Sequence, residues 1–159
     1  MKAATVSQIK KELKFKSTDE LMELCLRLSK FKKENKELLT YMLFESADEE
    51  VFIESVKAEM DADLENINTK NFYYIKKSLR KILKNVKKYI RYSPKKETEI
   101  ELLIYFCEQL KDFKPSIKRN ATMMNLYNRQ VASIKKTLSG LHEDLQFDYE
   151  QEIEELEDF

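Results

Sequence analysis

Residues that bend a chain or equip it for chemistry are scarce here. One glycine, Gly140, and two prolines, Pro94 and Pro115, occur in 159 residues. That scarcity argues against a fold of many tight β-turns, and a lone glycine excludes a glycine-rich phosphate loop. The one histidine, His142, cannot supply the paired Glu-x-x-His motifs of a di-iron bundle. Nor is it followed by a second histidine at metalloprotease spacing. With two cysteines, the chain has three Cys or His residues in all, one short of a structural zinc site. No apolar run approaches the roughly 18 residues of a membrane span; the longest is Leu102 to Cys107. Met1 to Lys16 is polar and lysine-rich, without the apolar core of a secretory leader. The expectation is a cytoplasmic protein.

The chain does have helical periodicity, nearly everywhere. A short helix is predicted over Val6 to Leu13. Ser17-Thr18-Asp19-Glu20 has the spacing of a capping box, followed by Leu21, Leu24, Cys25, Leu28 and Phe31 on one face. Asn35 is read as the next N-cap. The segment Leu38, Leu39, Tyr41, Met42, Leu43 and Phe44 is apolar nearly all round, which predicts burial. Ser46 to Glu49 reads as a second capping box, opening a helix with Phe52, Val56 and Met60 inward. Asn71 caps a helix to about Tyr92, with Phe72, Ile75, Leu79, Ile82, Leu83, Val86 and Ile90 in its stripe. Ser93-Pro94 opens the next, rich in Ile100, Leu102 to Cys107 and Leu110, and predicted to be the most buried. Pro115 begins another, with Ser139-Gly140 as its C-terminal cap. Leu145, Tyr149, Ile153 and Leu156 share a face of a last helix or frayed tail. Cys25 and Cys107, both inside apolar patterns without CxxC spacing, read as buried free thiols.

The predicted fold is all-α: seven to eight antiparallel helices in hairpins, as a compact bundle or a short superhelix. Residues 1–142 would form one domain and 143–159 an acidic helix or tail. Glu37-Leu38-Leu39-Thr40-Tyr41 is echoed by Glu101-Leu102-Leu103-Ile104-Tyr105, either by chance or as a mark of two related hairpins. The layout is similar to HEAT-like helical-hairpin folds. It has none of their consensus residues, so the resemblance implies architecture and no function.

Charge is balanced overall, 29 basic against 29 acidic residues, but segregated along the chain. Lys70 to Lys96 holds eleven basic residues and no acidic one. Glu45 to Glu65 holds nine carboxylates, and Glu143 to Asp158 another nine. On a helix, Lys77, Arg80, Lys81, Lys84, Lys88 and Arg91 fall opposite the apolar stripe, and these six are the candidate binding residues for a polyanion or partner. Three readings compete. The face is solvated and balanced by the chain's own acids. Alternatively, with Tyr73, Tyr74, Tyr89 and Tyr92, it neutralises phosphates and stacks bases. Or it lies on an anionic membrane. The acidic C-terminus could be a solvated helix or could fold back on the basic one. Carboxylate pairs such as Asp61 with Glu65 and Glu150 with Glu154 lie in polar stretches and read as solvated faces. No catalytic residue, cofactor or metal is expected. The functional expectation is a non-enzymatic helical scaffold or adaptor that binds a protein partner, or itself. The alternative is a nucleic-acid-binding module using helix 70–96.

Overall fold

The computed structural model describes residues 1–159. It is all-α, with eight helices and no strand. In chain order these are α1 (Val6–Leu13), α2 (Thr18–Phe31), α3 (Lys33–Thr40), α4 (Glu49–Glu65), α5 (Phe72–Ile90), α6 (Lys96–Asp112), α7 (Ala121–Leu138) and α8 (Glu143–Glu157). A π-helical turn spans Tyr41–Glu45 and a 3-10 turn Ile117–Arg119. The chain forms two compact units, Met1–Phe44 and Glu45–Phe159. The acidic C-terminal segment therefore belongs to the second unit.

The second unit is a helical bundle built around α6. Seven apolar residues of that helix are buried: Ile100, Leu102, Leu103, Ile104, Phe106, Cys107 and Leu110. An apolar run covering every side of a helix must be surrounded, and α6 packs against α4, α5, α7 and α8. Each of its large side chains contributes about 1.5–3 kcal/mol by leaving water. Burial pushes the Cys107 thiol up to about 12, so it stays protonated and inert.

Polar contacts fix the helix directions. Thr98 donates to Glu49 at 2.5 Å and Tyr105 to Asp61 at 2.8 Å, so α4 and α6 run parallel. Tyr149 donates to Glu101 at 3.3 Å and the Lys111 ammonium to the Glu155 carbonyl at 2.7 Å, so α8 runs the same way. The intervening α5 and α7, joined to them by short loops, return in the opposite sense.

The first unit is built differently. Its helix ends are well made: Thr5 with Gln8 and Ser17 with Glu20 both form complete capping boxes. Yet only Ser29 and Tyr41 are buried in it. Met42, Leu43 and Phe44 are exposed, contrary to the burial their composition suggests. The apolar run lies across the end of α3 and the π-helical turn. Cys25 is likewise exposed.

Several helix ends depart from the sequence reading because side chains found other partners. Asn35 closes α2 instead of opening α3, donating to the Leu28 carbonyl at 2.8 Å. The N-cap of α4 is Asp48, not Ser46, and it accepts from the Val51 N–H at 3.2 Å. Glu49 receives hydrogen bonds from both Ser93 and Thr98. Ser93 also accepts from the Lys95 N–H at 3.1 Å, just outside α6, which begins two residues later than expected. Pro115 follows a cis bond and precedes the 3-10 turn; the N-cap of α7 is Asn120. The C-cap of α7 is Ser139, and Gly140 does not adopt a positive φ. The pentapeptide echo occupies unlike settings, the end of α3 in one copy and the buried middle of α6 in the other.

Candidate binding surfaces

The basic face belongs to α5. Asn71 starts the helix by accepting from the Tyr74 N–H at 3.1 Å. Ile75, Leu79, Ile82, Leu83 and Val86 are buried toward α4 and α6. A 100° step per residue puts the basic residues on the far side. Lys77, Arg80, Lys81, Lys84 and Arg91 are exposed and enter no ion pair, and Lys88 is half-buried. Lys87 and Lys88 in the last turn face the negative end of the helix dipole, which favours them there.

Part of this face is concave. Arg80, Lys84, Lys87, Lys88 and Arg91 ring a depression of about 520 Å³ floored by Leu83. Four of the six candidate residues meet there, while Lys77 and Lys81 lie outside it. Lys87 belongs to the rim and is not among the six. Its spacing from Leu83, one helical turn, is the signal that points to it, since Leu83 sits at the edge of the apolar stripe.

The tyrosines divide. Tyr73 and Tyr74 are exposed and meet edge to face at 5.5 Å between ring centres. Tyr89 is half-buried, and its hydroxyl donates to both carboxylate oxygens of Glu59 on α4, at 3.0 and 2.8 Å. The Lys88 ammonium lies 4.7 Å from the Tyr89 ring centre. Tyr89 is thus a strut between helices, leaving Tyr73 and Tyr74 free to stack on a ligand.

The acidic α8 does not neutralise this face. It packs on α6 and α7, burying Ile153 and Leu156. Its charged contacts are Lys135, 2.5 Å from Glu157, and Lys111 on the Glu155 carbonyl. Tyr127 donates to the Leu156 carbonyl at 2.8 Å inside that seam.

Elsewhere the titratable groups bond within the fold or face solvent. His142 is an exposed N-cap whose Nδ1 accepts from the Asp144 N–H at 3.2 Å. Asp61 receives Tyr105, and Glu65, Glu150 and Glu154 face solvent. The Glu152 carboxyl is raised by partial burial, then by Glu108, Glu101 and Glu155, with Lys57 opposing. Nowhere do three or more His, Cys, Asp or Glu side chains gather as a metal ion would require. No helix is long and apolar enough to cross a membrane.

The second surface is apolar. Eighteen large hydrophobic residues of the chain are exposed, and fourteen of them fall in Met1–Phe44. Leu28 is 61% exposed, Phe31 76% and Phe15 85%. Scattered exposed leucines are ordinary; here they are concentrated in one unit. A depression of about 450 Å³ beside Ile9, Leu13 and Leu24 adds relief to it. Sequence patterning shows the stripe on α2 but not that it stays uncovered.

The chain matches no protein-family model, no curated protein and no solved structure.

Proposed function

We propose that this chain is a non-enzymatic helical adaptor that binds a protein partner through its first unit. The observation that carries the reading is the concentration of exposed apolar side chains between Met1 and Phe44. Water is a poor neighbour for such a surface, and each side chain favours association by about 25 cal/mol for every Å² that it takes out of water. The capping boxes of α1 and α2 hold these helices in shape, so ordering them on a partner costs little. Asp61 and Glu59 accept from tyrosines, and Glu150 and Glu154 face solvent, a pattern that supports a binding role over a catalytic one. Two free thiols, one of them exposed, fit a reducing, cytoplasmic setting.

Affinity purification of the full chain from its native cell, with nuclease treatment as control, tests the proposal. A protein retained through the nuclease step and lost from Leu28→Glu/Phe31→Glu supports it. Recovery that collapses with nuclease and follows the α5 lysines replaces it with the second reading.

That second reading is nucleic-acid binding, favoured by the cationic depression on α5 and the exposed Tyr73–Tyr74 pair. Five cations around one apolar floor would track a phosphate backbone, while the two rings stack on bases. Titrating salt against single- and double-stranded oligonucleotides separates the two readings.

A further inference from the structure

We infer that the partner of the first unit is a second copy of this chain, docked through α2 in an antiparallel, two-fold pair. The inference rests on the adaptor reading above and names its occupant. Leu21, Leu24, Leu28 and Phe31 repeat at intervals of three, four and three, the seam of a two-helix interface. All four are exposed. Taking about 200 Å² for a large apolar side chain, they leave roughly 400 Å² of each copy uncovered. A stable interface takes about 800 Å² per partner, a little over half of it apolar. The stripe therefore supplies the apolar share that such a dimer needs.

Charge chooses the direction. Within α2 the first half carries Asp19, Glu20 and Glu23 and the second Arg27 and Lys30; Lys16 flanks one end and Lys32, Lys33 and Glu34 the other. Parallel copies would set acid beside acid and base beside base. Antiparallel copies set each acidic half along a basic half, and a two-fold axis makes the match reciprocal. The register follows from the stripe: Leu21 meets Phe31 of the other copy, and Leu24 meets Leu28. The axis then passes near Leu26. Cys25 of one copy comes within about 3 Å, measured along the helix axis, of Cys25 of the other, two residues at 1.5 Å rise. Cys107 is buried, so Cys25 is the accessible thiol.

The test uses the full chain in sedimentation equilibrium and with a short bismaleimide. The expected results are a dimer, a Cys25-to-Cys25 cross-link, and at least a tenfold weaker dimer for Leu24→Glu/Leu28→Glu with unchanged far-ultraviolet dichroism. Thr18→Cys in a Cys25→Ser background should give no cross-linked dimer, because antiparallel copies hold their Thr18 positions at opposite ends. Cross-linking there establishes parallel pairing and overturns the inference, as does a wild-type chain monomeric at tens of micromolar. The fate of the adaptor reading is separate. A monomer carrying a photo-cross-linker at Phe31 that captures a different protein in the native cell leaves that reading standing. A monomer that captures none removes both. Binding of the monomer to anionic vesicles, abolished by the Leu24→Glu/Leu28→Glu change, assigns the surface to lipid instead.

Discussion

The Tyr105 hydroxyl donates to both carboxylate oxygens of Asp61, each at 2.8 Å, and so ties α6 to α4. The Lys57 ammonium, 5.4 Å from the Tyr105 ring centre, covers the same ring. Both partners are half-buried, where a hydrogen bond to a charged acceptor is worth more than a neutral one. Tyr105→Phe keeps the ring and removes the donor. It should lower unfolding stability by about 1–2 kcal/mol in a urea melt. An unchanged midpoint would mean that water serves Asp61 as well as tyrosine does.

The same bond predicts an alkaline limit. Burial raises the Tyr105 hydroxyl to about 12, with Asp61 adding to the effect, and burial raises Tyr149 to about 12 beside Glu101. A phenol whose pKa is higher folded than unfolded stabilises the fold fully below the unfolded value, near 10. That contribution is lost as pH climbs from about 10 to about 12. Thermal melts across this window should show falling stability, and the fall should be shallower in Tyr105→Phe. Ultraviolet titration of tyrosinate should find part of the absorbance change delayed toward pH 12.

Periodicity made α5, α6 and α7 legible in sequence, because a stripe every three to four residues states which face is apolar. It does not state whether anything covers that face. Leu102 to Cys107 and Leu38 to Phe44 look alike in composition, yet the first is the centre of a bundle and the second ends in the exposed Met42, Leu43 and Phe44. Caps were legible where a side chain had only its own helix to serve, as with Ser17 and Asn71. They failed at Ser93, whose oxygen accepts from the Lys95 N–H ahead of the helix while its hydroxyl donates to Glu49. The basic face was legible as a charge run. Its concavity, and the place of Lys87 on the rim, depend on how deeply Leu83 sinks, which only packing decides.

The contrast between covered and uncovered apolar faces is itself testable. Phe106→Ala in α6 opens a cavity among buried neighbours and should cost about 3–5 kcal/mol. Leu28→Ala in α2, already 61% exposed, should change monomer stability by no more than about 0.5 kcal/mol. Denaturant unfolding of the two variants at low protein concentration makes the comparison, since dilution removes any effect of association. A large loss from Leu28→Ala would show that α2 is covered in the isolated chain.

The seating of α8 on α6 and α7 predicts that its acidic charge and its stabilising role separate. Leu156 is buried, and its carbonyl accepts the Tyr127 hydroxyl. Leu156→Ala should cost about 2–4 kcal/mol. Replacing Glu150 and Glu154 with Gln, both solvent-facing, should leave the melting midpoint nearly unchanged. If heparin binds the α5 face, its binding should be the same in the glutamine variant, because α8 packs on α6 and α7. A marked rise in heparin binding would mean that α8 reaches α5 in solution.

The uncompensated cations of α5 lead to a prediction in which stability and binding move in opposite directions. Lys77 with Lys81, Arg80 with Lys84, and Lys87 with Arg91 are like charges one turn apart, each pair destabilising an isolated helix by a few tenths of a kcal/mol. Arg80→Gln, Lys84→Gln and Arg91→Gln together should therefore leave the melting midpoint unchanged or raise it slightly. The same triple variant removes three of the five cations around the depression. If duplex DNA binds there, its logarithmic salt slope should become shallower by about 0.9 for each phosphate no longer neutralised, close to three units in all. Affinity at low salt should fall steeply with it. A triple variant that binds duplex DNA with the parental slope would place any nucleic-acid interaction away from α5, and the cations would then be a solvated surface held apart by water and counterions.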